Sequence, residues 1–383
     1  MSPEAGPHTP PQEGYVRLFL RFLRFGALAW GGPVTQIAMI RQELVEEEKW
    51  ISRERFNRVL AVYQVLPGPE AHELCVYFGL LAGGRLGGLL AGLGFMLPGF
   101  VLMFALSWFY VTFGLGSPLF AAVFYGCQPA VVALILRAVH RIAGHALTDR
   151  WLWGIAAGAA AATLLGVNFL ATLALAGLIY ALIKRQLTPS VGLFLPLLFL
   201  NRVAAASMPS LLTLFGYGLR SGLLTFGGAY TVISFLQNDA VITGHWMTNA
   251  QFLDGLALSG ILPAPLIIFS TFVGYLGGGP AGACALTAGI FLPAFAFTLI
   301  GHDYVERLVE NRAAHAFLDG VTAGVIGLIA VTAVGLFRAA VTDAPRLIIF
   351  GLALTALYLW QAKASVVGVI FGAGLLGWLL SLG

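Results

Sequence analysis

Charge is scarce in this sequence. Only 21 of its 383 residues are Lys or Arg and 17 are Asp or Glu, so 10% of the chain is charged, against about 25% in an ordinary soluble domain. Cysteine is almost missing. Cys75, Cys127 and Cys284 all lie in apolar stretches, with no spacing for a disulfide framework or zinc site, and read as small buried hydrophobes. No phosphate-binding loop is present: Gly83-Gly84 and Gly277-Gly278-Gly279 follow no strand and carry no Lys-Ser/Thr, so they read as turns between helices. No nucleophile–base pair or metal-ligand cluster stands out either. These absences exclude ATP-driven transport by this chain alone and leave no cofactor or metal to expect. An enzyme could use only Glu70, His72 and Glu73, which lack a nucleophile. The net charge of +4 comes without a basic patch interleaved with aromatics, so nucleic acid is not an expected partner. Residues 1–14, Pro-rich and polar, lack the basic and apolar regions of a signal peptide and read as a disordered tail.

Apolar sequence is what the chain has. It is 59% hydrophobic with a mean hydropathy of +0.88, in runs such as Leu86–Phe113, Trp151–Ile183 and Ser365–Leu382. About 18 apolar residues suffice to cross a bilayer, and membrane lipid is the expected surrounding.

The chain also repeats itself. Trp30-Gly31-Gly32 recurs as Phe226-Gly227-Gly228, and the same offset of 196 maps Trp50 onto Trp246, Phe56 onto Phe252 and Leu66-Pro67-Gly68-Pro69 onto Leu262-Pro263-Ala264-Pro265. From Arg24/Arg220 to Pro69/Pro265 there are 15 identities in 46 ungapped positions. Many are Trp, Gly and Pro, which shared hydrophobicity alone would not align. An offset of 195 then matches Gly94 with Gly289 and Leu97-Pro98 with Leu292-Pro293. The expected fold is an all-α integral membrane protein of two homologous helical halves, residues 15–187 and 209–383, joined by a linker at 188–208. Helices are expected near 57–82, 86–112, 118–140, 151–165 and 168–183, and near 250–276, 280–300, 316–338, 345–360 and 363–382. Together with the segments ahead of them they make about 10–12 membrane segments.

Residues 41–58 hold Arg41, Lys49, Arg53, Arg55 and Arg58, whereas the equivalent 237–254 hold no Lys or Arg. Short basic loops stay in the cytoplasm, so the two loops are expected on opposite faces, as in the inverted repeats of secondary transporters.

Gly31-Gly32-Pro33, Pro67-Gly68-Pro69, Gly227-Gly228 and Pro263-Ala264-Pro265 should break their helices. Such breaks are tolerated in hydrocarbon only where protein covers them or they line a polar cavity. Four in matched positions are the best sequence pointer to a transporter's substrate site; close helix packing is the plainer use of glycine pairs. A helix restarting after a break aims free N–H groups at the gap, which suits an anion. Gln64, with Tyr63, Thr225 and Ser259, could add hydrogen bonds. Arg24 and Arg220, matched ahead of the glycine pairs, could add charge or only reach for headgroups. Ionisable residues at membrane depth are functional candidates. Glu70 and Glu73 share a helix face after the first Pro-Gly-Pro, with His72 pointing elsewhere, and the second half has Leu266, Ile268 and Phe269 at these places. A carboxylate beside an anion repels it unless protonated, a natural basis for proton coupling; capping the restarted helix is the alternative for Glu70. The acidic run 46–48 reads as a solvated loop face, and Trp50 and Trp246 as interfacial anchors.

These motifs resemble the chromate ion transporter family. The residues that carry the likeness are Phe25-Gly26 through Gly31-Gly32-Pro33, Trp50, Gln64-Val65-Leu66-Pro67-Gly68-Pro69, Gly94-Phe95-Met96-Leu97-Pro98, Thr225-Phe226-Gly227-Gly228 and Phe291-Leu292-Pro293. The resemblance covers nearly the whole chain after Tyr15. It implies a two-domain carrier in a bacterial inner membrane that exports chromate at the expense of the proton-motive force, with sulfate as a related anion and the halves oppositely oriented. Trp30 stands where that family commonly has Phe, and Ala264 replaces the glycine of the second Pro-Gly-Pro. A sulfate-type permease on the same scaffold, and a monomer or a homodimer, are left open by the residues.

Overall fold

In a computed structural model, residues 10–114, 116–184, 208–226, 228–300, 311–360, 362 and 364–382 are described. All regular structure among them is helical. The linker at 188–208 lies outside the described residues except for Met208, as does the start of the N-terminal tail.

The first half opens with α1 (Tyr15–Ala27). After a break it returns as α2 (Pro33–Arg41), which runs into a π-helical turn, Gln42–Glu47. A loop leads to α3 (Arg53–Val65), the Pro-Gly-Pro break and α4 (Glu70–Phe109). In the second half α8 (Leu211–Leu223), α9 (Val232–Gln237) with its π-helical extension Asn238–Thr243, α10 (Asn249–Gly260) and α11 (Phe269–Leu299) take the same places. Helix precedes and follows each glycine pair, as the expected breaks require. At 13 and 9 residues, α1 and α2 reach only about 20 and 14 Å, too short to cross. Each dips in and turns back. The expected helix 57–82 is likewise two arms meeting at Pro67-Gly68-Pro69.

The repeat extends to single dihedrals. Among the described residues, Lys49 (φ 56°) and His245 (φ 53°) are the non-glycine residues with positive φ. Gly84 (64°, −159°) and Gly279 (59°, −152°) kink α4 and α11 alike. Arg24 pairs with Glu43 and Arg220 with Asp239, the same contact 196 positions apart.

Among the described residues each half has three more helices: α5 (Pro118–Ala146), α6 (Arg150–Leu164) and α7 (Phe169–Ile183), then α12 (Arg312–Ala340), α13 (Ala344–Leu359) and α14 (Ser365–Leu380). Both α5 and α12 have 29 residues and lead through Thr148-Asp149 or Thr342-Asp343 into the next helix, with Asp149 and Asp343 as N-caps. This sets an offset of 194. Glycines show how the halves meet. Gly88 and Gly92 of α4 face Leu299 and Phe295 of α11, so these equivalent helices run antiparallel. Gly177 of α7 faces Phe317 and Gly324 faces Leu173; Gly126 of α5 faces Ala373 and Gly377 faces Ala122. Each half's last helices therefore clasp the other half's long helix, antiparallel in both cases. The halves are inverted and interlocked. One face of the molecule, called near here, carries the loop around Lys49, the Gly83-Gly84 kink, the end of α5 and the start of α12. The far face carries the opposite ends.

Four helical stretches, Glu70–Gly114, Pro118–Ala146, Leu266–Leu299 and Ala313–Ala340, are long and apolar enough to span a membrane. Two side-chain expectations are corrected. Trp50 is fully buried, with Arg21 packed over its ring, and donates to Glu48 Oε2 at 2.8 Å, while Glu47 and Glu48 stay exposed. Cys284 is exposed on α11, while Cys75 and Cys127 are buried.

Candidate functional site

The breaks of one half meet those of the other. Gly68 N–H donates to the Thr225 carbonyl at 3.1 Å, joining the first Pro-Gly-Pro to the segment before Gly228. Reciprocally, Trp30, Gly31 and Gly32 share a small cavity of about 60 Å³ with Ser259, Gly260 and Ala264. Both pairings hold backbone that no regular helix satisfies, which is what membrane depth requires.

From that cavity two larger ones follow along α5. Gly31, Gly32, Pro33, Arg137, Arg141 and Ser365 line the middle one, about 220 Å³. The widest, about 490 Å³, is lined by Gln64, Glu70, Arg141, His145, Gly228 and Asp319 among others. Tyr230 borders all three. From Leu134 at the inner end to His145 at the outer, α5 rises about 16 Å. The outer residues belong to the end of α5 and the start of α12, so the cavity opens at the near face.

Its floor is the start of α2. Gly32 caps that helix at φ 81°, ψ −176° and Pro33 takes the first position, where a missing N–H costs nothing. The positive φ fits glycine and not an L side chain. Gly32→Leu is expected to leave the protein in the membrane and cut transport roughly a hundredfold, since the site's floor must shift. Vesicle flux against membrane abundance checks it, and normal flux would show a mere kink.

Arg137 and Arg141 sit one turn apart on α5, on one face. Arg141 is exposed to the cavity and Arg137 half-buried. Among the described residues neither is in a salt bridge. Inside a membrane protein charges pair or line a substrate path. Two guanidiniums and a helix N-terminus lining one cavity could hold an anion, with donor geometry suited to oxyanions.

The structure separates the other candidates. Gly31, Gly32, Pro33, Gln64, Glu70 and Gly228 line the cavities, and Ala264 does so between buried Pro263 and Pro265. Pro67, Gly68 and Pro69 are buried, and Gly227 lies outside the described residues. Arg24 and Arg220 are engaged by Glu43 and Asp239 and line none of these cavities. Glu70 and Glu73 do not share surroundings. Glu73 is fully buried, its carboxyl oxygens without a hydrogen-bond partner among the described residues, and a Cβ on Gly68 would lie 2.8 Å from its Oε1. His72 is packed edge-on against Phe291 and Phe295 at 5.0 and 4.7 Å. Sequence reasoning passed over Arg137 and Arg141. The signal was there: two arginines four apart inside an apolar helix, where the other half has Val331 and Gly335.

An inverted repeat with broken helices, and unpaired cations lining connected cavities, has the build of a membrane transport protein. The chain belongs to the chromate transporter family, which matches it twice, at residues 16–181 and 212–378. A chromate transport protein from Pseudomonas aeruginosa is 56% identical over 97% of this chain and 94% of its own length. One from Cupriavidus metallidurans is 33% identical over the same shares, and a probable chromate transport protein from Synechococcus elongatus 32%, over 95% of this chain and 97% of its own. No solved structure matches.

Proposed function

We propose that this chain carries chromate out of the cytoplasm, binding it between Arg137, Arg141 and the N-terminus of α2. The observation that carries the reading is the unpaired arginine couple in a cavity open to one face. The names of the relatives supply the anion. Nothing lining the cavity separates one tetrahedral dianion from another, so sulfate should compete.

The near face carries the basic loop at residues 41–58, and positive charge marks the cytoplasmic side. The cavity thus faces the cytoplasm, where an exporter loads. A dianion leaving an inside-negative cell gains about 4.6 kcal/mol per 100 mV, enough for a steep gradient without ATP. Glu70, beside Arg141 in the same cavity, repels the anion when charged. Proton and anion therefore favour each other's binding, and Glu73, next along α4, is the proposed carrier of the coupling proton.

Uptake of labelled chromate into inverted vesicles under an imposed inside-positive potential tests the function, and sulfate should inhibit it. Absent uptake would remove the chromate reading. Orientation has its own check. An impermeant maleimide should label Ser52→Cys only from the cytoplasmic side and Thr248→Cys only from outside, in a cysteine-free background. Labelling both from one side would contradict the inversion.

A further inference from the structure

The inverted repeat predicts a second vestibule, and the structure shows it shut. At the offset of 194, the near-face residues Ile142, Ala146, Leu318 and Thr322 correspond to Leu336, Ala340, Phe124 and Gln128. Ile142, Ala146 and Thr322 line the open cavity and are half-buried, whereas their counterparts Leu336 and Ala340 are at 0% exposure and Gln128 at 8%; Leu318 and Phe124, at 5% and 7%, are buried alike. What closes this side is polar as well as apolar. Tyr110 Oη and Gln128 Nε2 each donate to Asp254, at 2.8 Å, one to each carboxylate oxygen. That carboxylate ties the end of α4 to α5 and α10. Nearer the far surface, Tyr125 Oη donates to Asp343 Oδ1 at 2.7 Å. Arg346 lies over the Tyr125 ring at 4.2 Å and donates to the Ala340 carbonyl at 3.1 Å, joining α5, α12 and α13.

The near face has the same scaffold without the same closure. Asp149, the counterpart of Asp343, accepts from Tyr180 at 2.8 Å and Lys184 at 3.0 Å, both from its own half. The counterpart of Tyr125 is Asp319. Where the far face sets a hydroxyl donor against a carboxylate, the near face sets two carboxylates in matched positions, and like charges do not bridge. Among the described residues, Arg58, the counterpart of Asp254, pairs with Glu54, one turn away on its own helix.

We infer that Tyr110, Gln128 and Asp254, with Tyr125, Asp343 and Arg346, form the far-side gate of the transport path, and that breaking the Asp254 bonds lets the cavity exchange faces. The gate rests on the reading of the Arg137–Arg141 cavity as that path. A carboxylate at membrane depth, satisfied by two neutral donors from two other helices, binds all three only while they stay together. These are positioning residues, remote from the arginines.

Accessibility tests it apart from transport. In the cysteine-free full-length protein, Thr322→Cys reports the open side and Ala340→Cys the closed side. With a membrane-impermeant maleimide the unaltered gate should leave Ala340→Cys unreactive from outside. Asp254→Leu should raise its labelling rate about tenfold or more and lower that of Thr322→Cys from inside, because the two openings exclude each other. Asp254→Asn should stay near the starting rates: its oxygen can accept from Tyr110 while Gln128 turns to accept from its amide. If Asp254→Leu does not accumulate, Tyr110→Phe removes one donor and should shift both rates the same way. Unchanged labelling, or equal increases at both reporters, would overturn the gate. A shift in labelling with transport indifferent to Arg137 and Arg141 would instead remove the site and leave the gate standing.

Discussion

Arg141→Gln should reduce chromate transport at low substrate by about a hundredfold with protein still in the membrane. Removing one charged partner of a desolvated contact costs about 2–5 kcal/mol, and at this site the partner is the anion. Arg141 borders both larger cavities, so its loss removes charge from the vestibule and from the site together. Arg137→Gln should act in the same direction. Arg141→Lys should recover only part, since an ammonium keeps the charge but not the planar fork. The effect should appear chiefly in KM, because the arginine holds the anion before the carrier turns over. Concentration-dependent uptake into inverted vesicles measures it. Near-normal KM in both Gln variants would mean the anion binds elsewhere.

Much of this molecule is legible in its sequence, for reasons that differ by residue. The halves show themselves because Trp50/Trp246 and the paired prolines are rare types that recur at one offset. The breaks show because glycine and proline act on the backbone, whatever surrounds them. The inversion shows because arginines are counted, not positioned. What stays hidden depends on contacts across the fold. Trp50 has the composition of an interfacial residue, yet Arg21 packs over its ring and Glu48 takes its N–H, so it becomes core. Glu70 and Glu73 are three apart, yet one faces the cavity and the other Gly68. Arg137 and Arg141 are hidden by their position within an apolar helix that returns to the basic face.

The proposed site and gate lie where the halves have stopped resembling each other. Arg137 and Arg141 face Val331 and Gly335 in the alignment, Glu70 faces Leu266, and Tyr125 faces Asp319. Two equal halves would offer the anion equal sites on both sides. On the proposed reading, these substitutions give one half the charges that bind and the far face the bonds that close. The symmetric scaffold would then supply the exchange between faces, and the divergence a direction for loading.

The coupling proton gives the second large effect, read as charge moved per anion. If one proton accompanies each dianion, the net charge is one. A tenfold chromate gradient is then balanced at about 60 mV, and each unit of opposing pH gradient shifts that balance by about another 60 mV. Without the proton the net charge is two, the balance falls to about 30 mV, and the pH gradient has no leverage. Glu73→Gln should convert the first behaviour into the second. Glutamine keeps the shape that fills the space beside Gly68, so anion binding should survive. The pH profile has a sign as well. Deprotonating carboxylates near the site repels the anion, so chromate KM should rise with pH in the unaltered protein, over a range where chromate remains a dianion, and more weakly in the variant. Zero-flux potentials of purified carrier in vesicles, with and without a pH gradient, decide the matter. A variant that still balances near 60 mV and still follows the pH gradient would clear Glu73, and Glu70, facing Arg141 across the open cavity, would then be the residue to change.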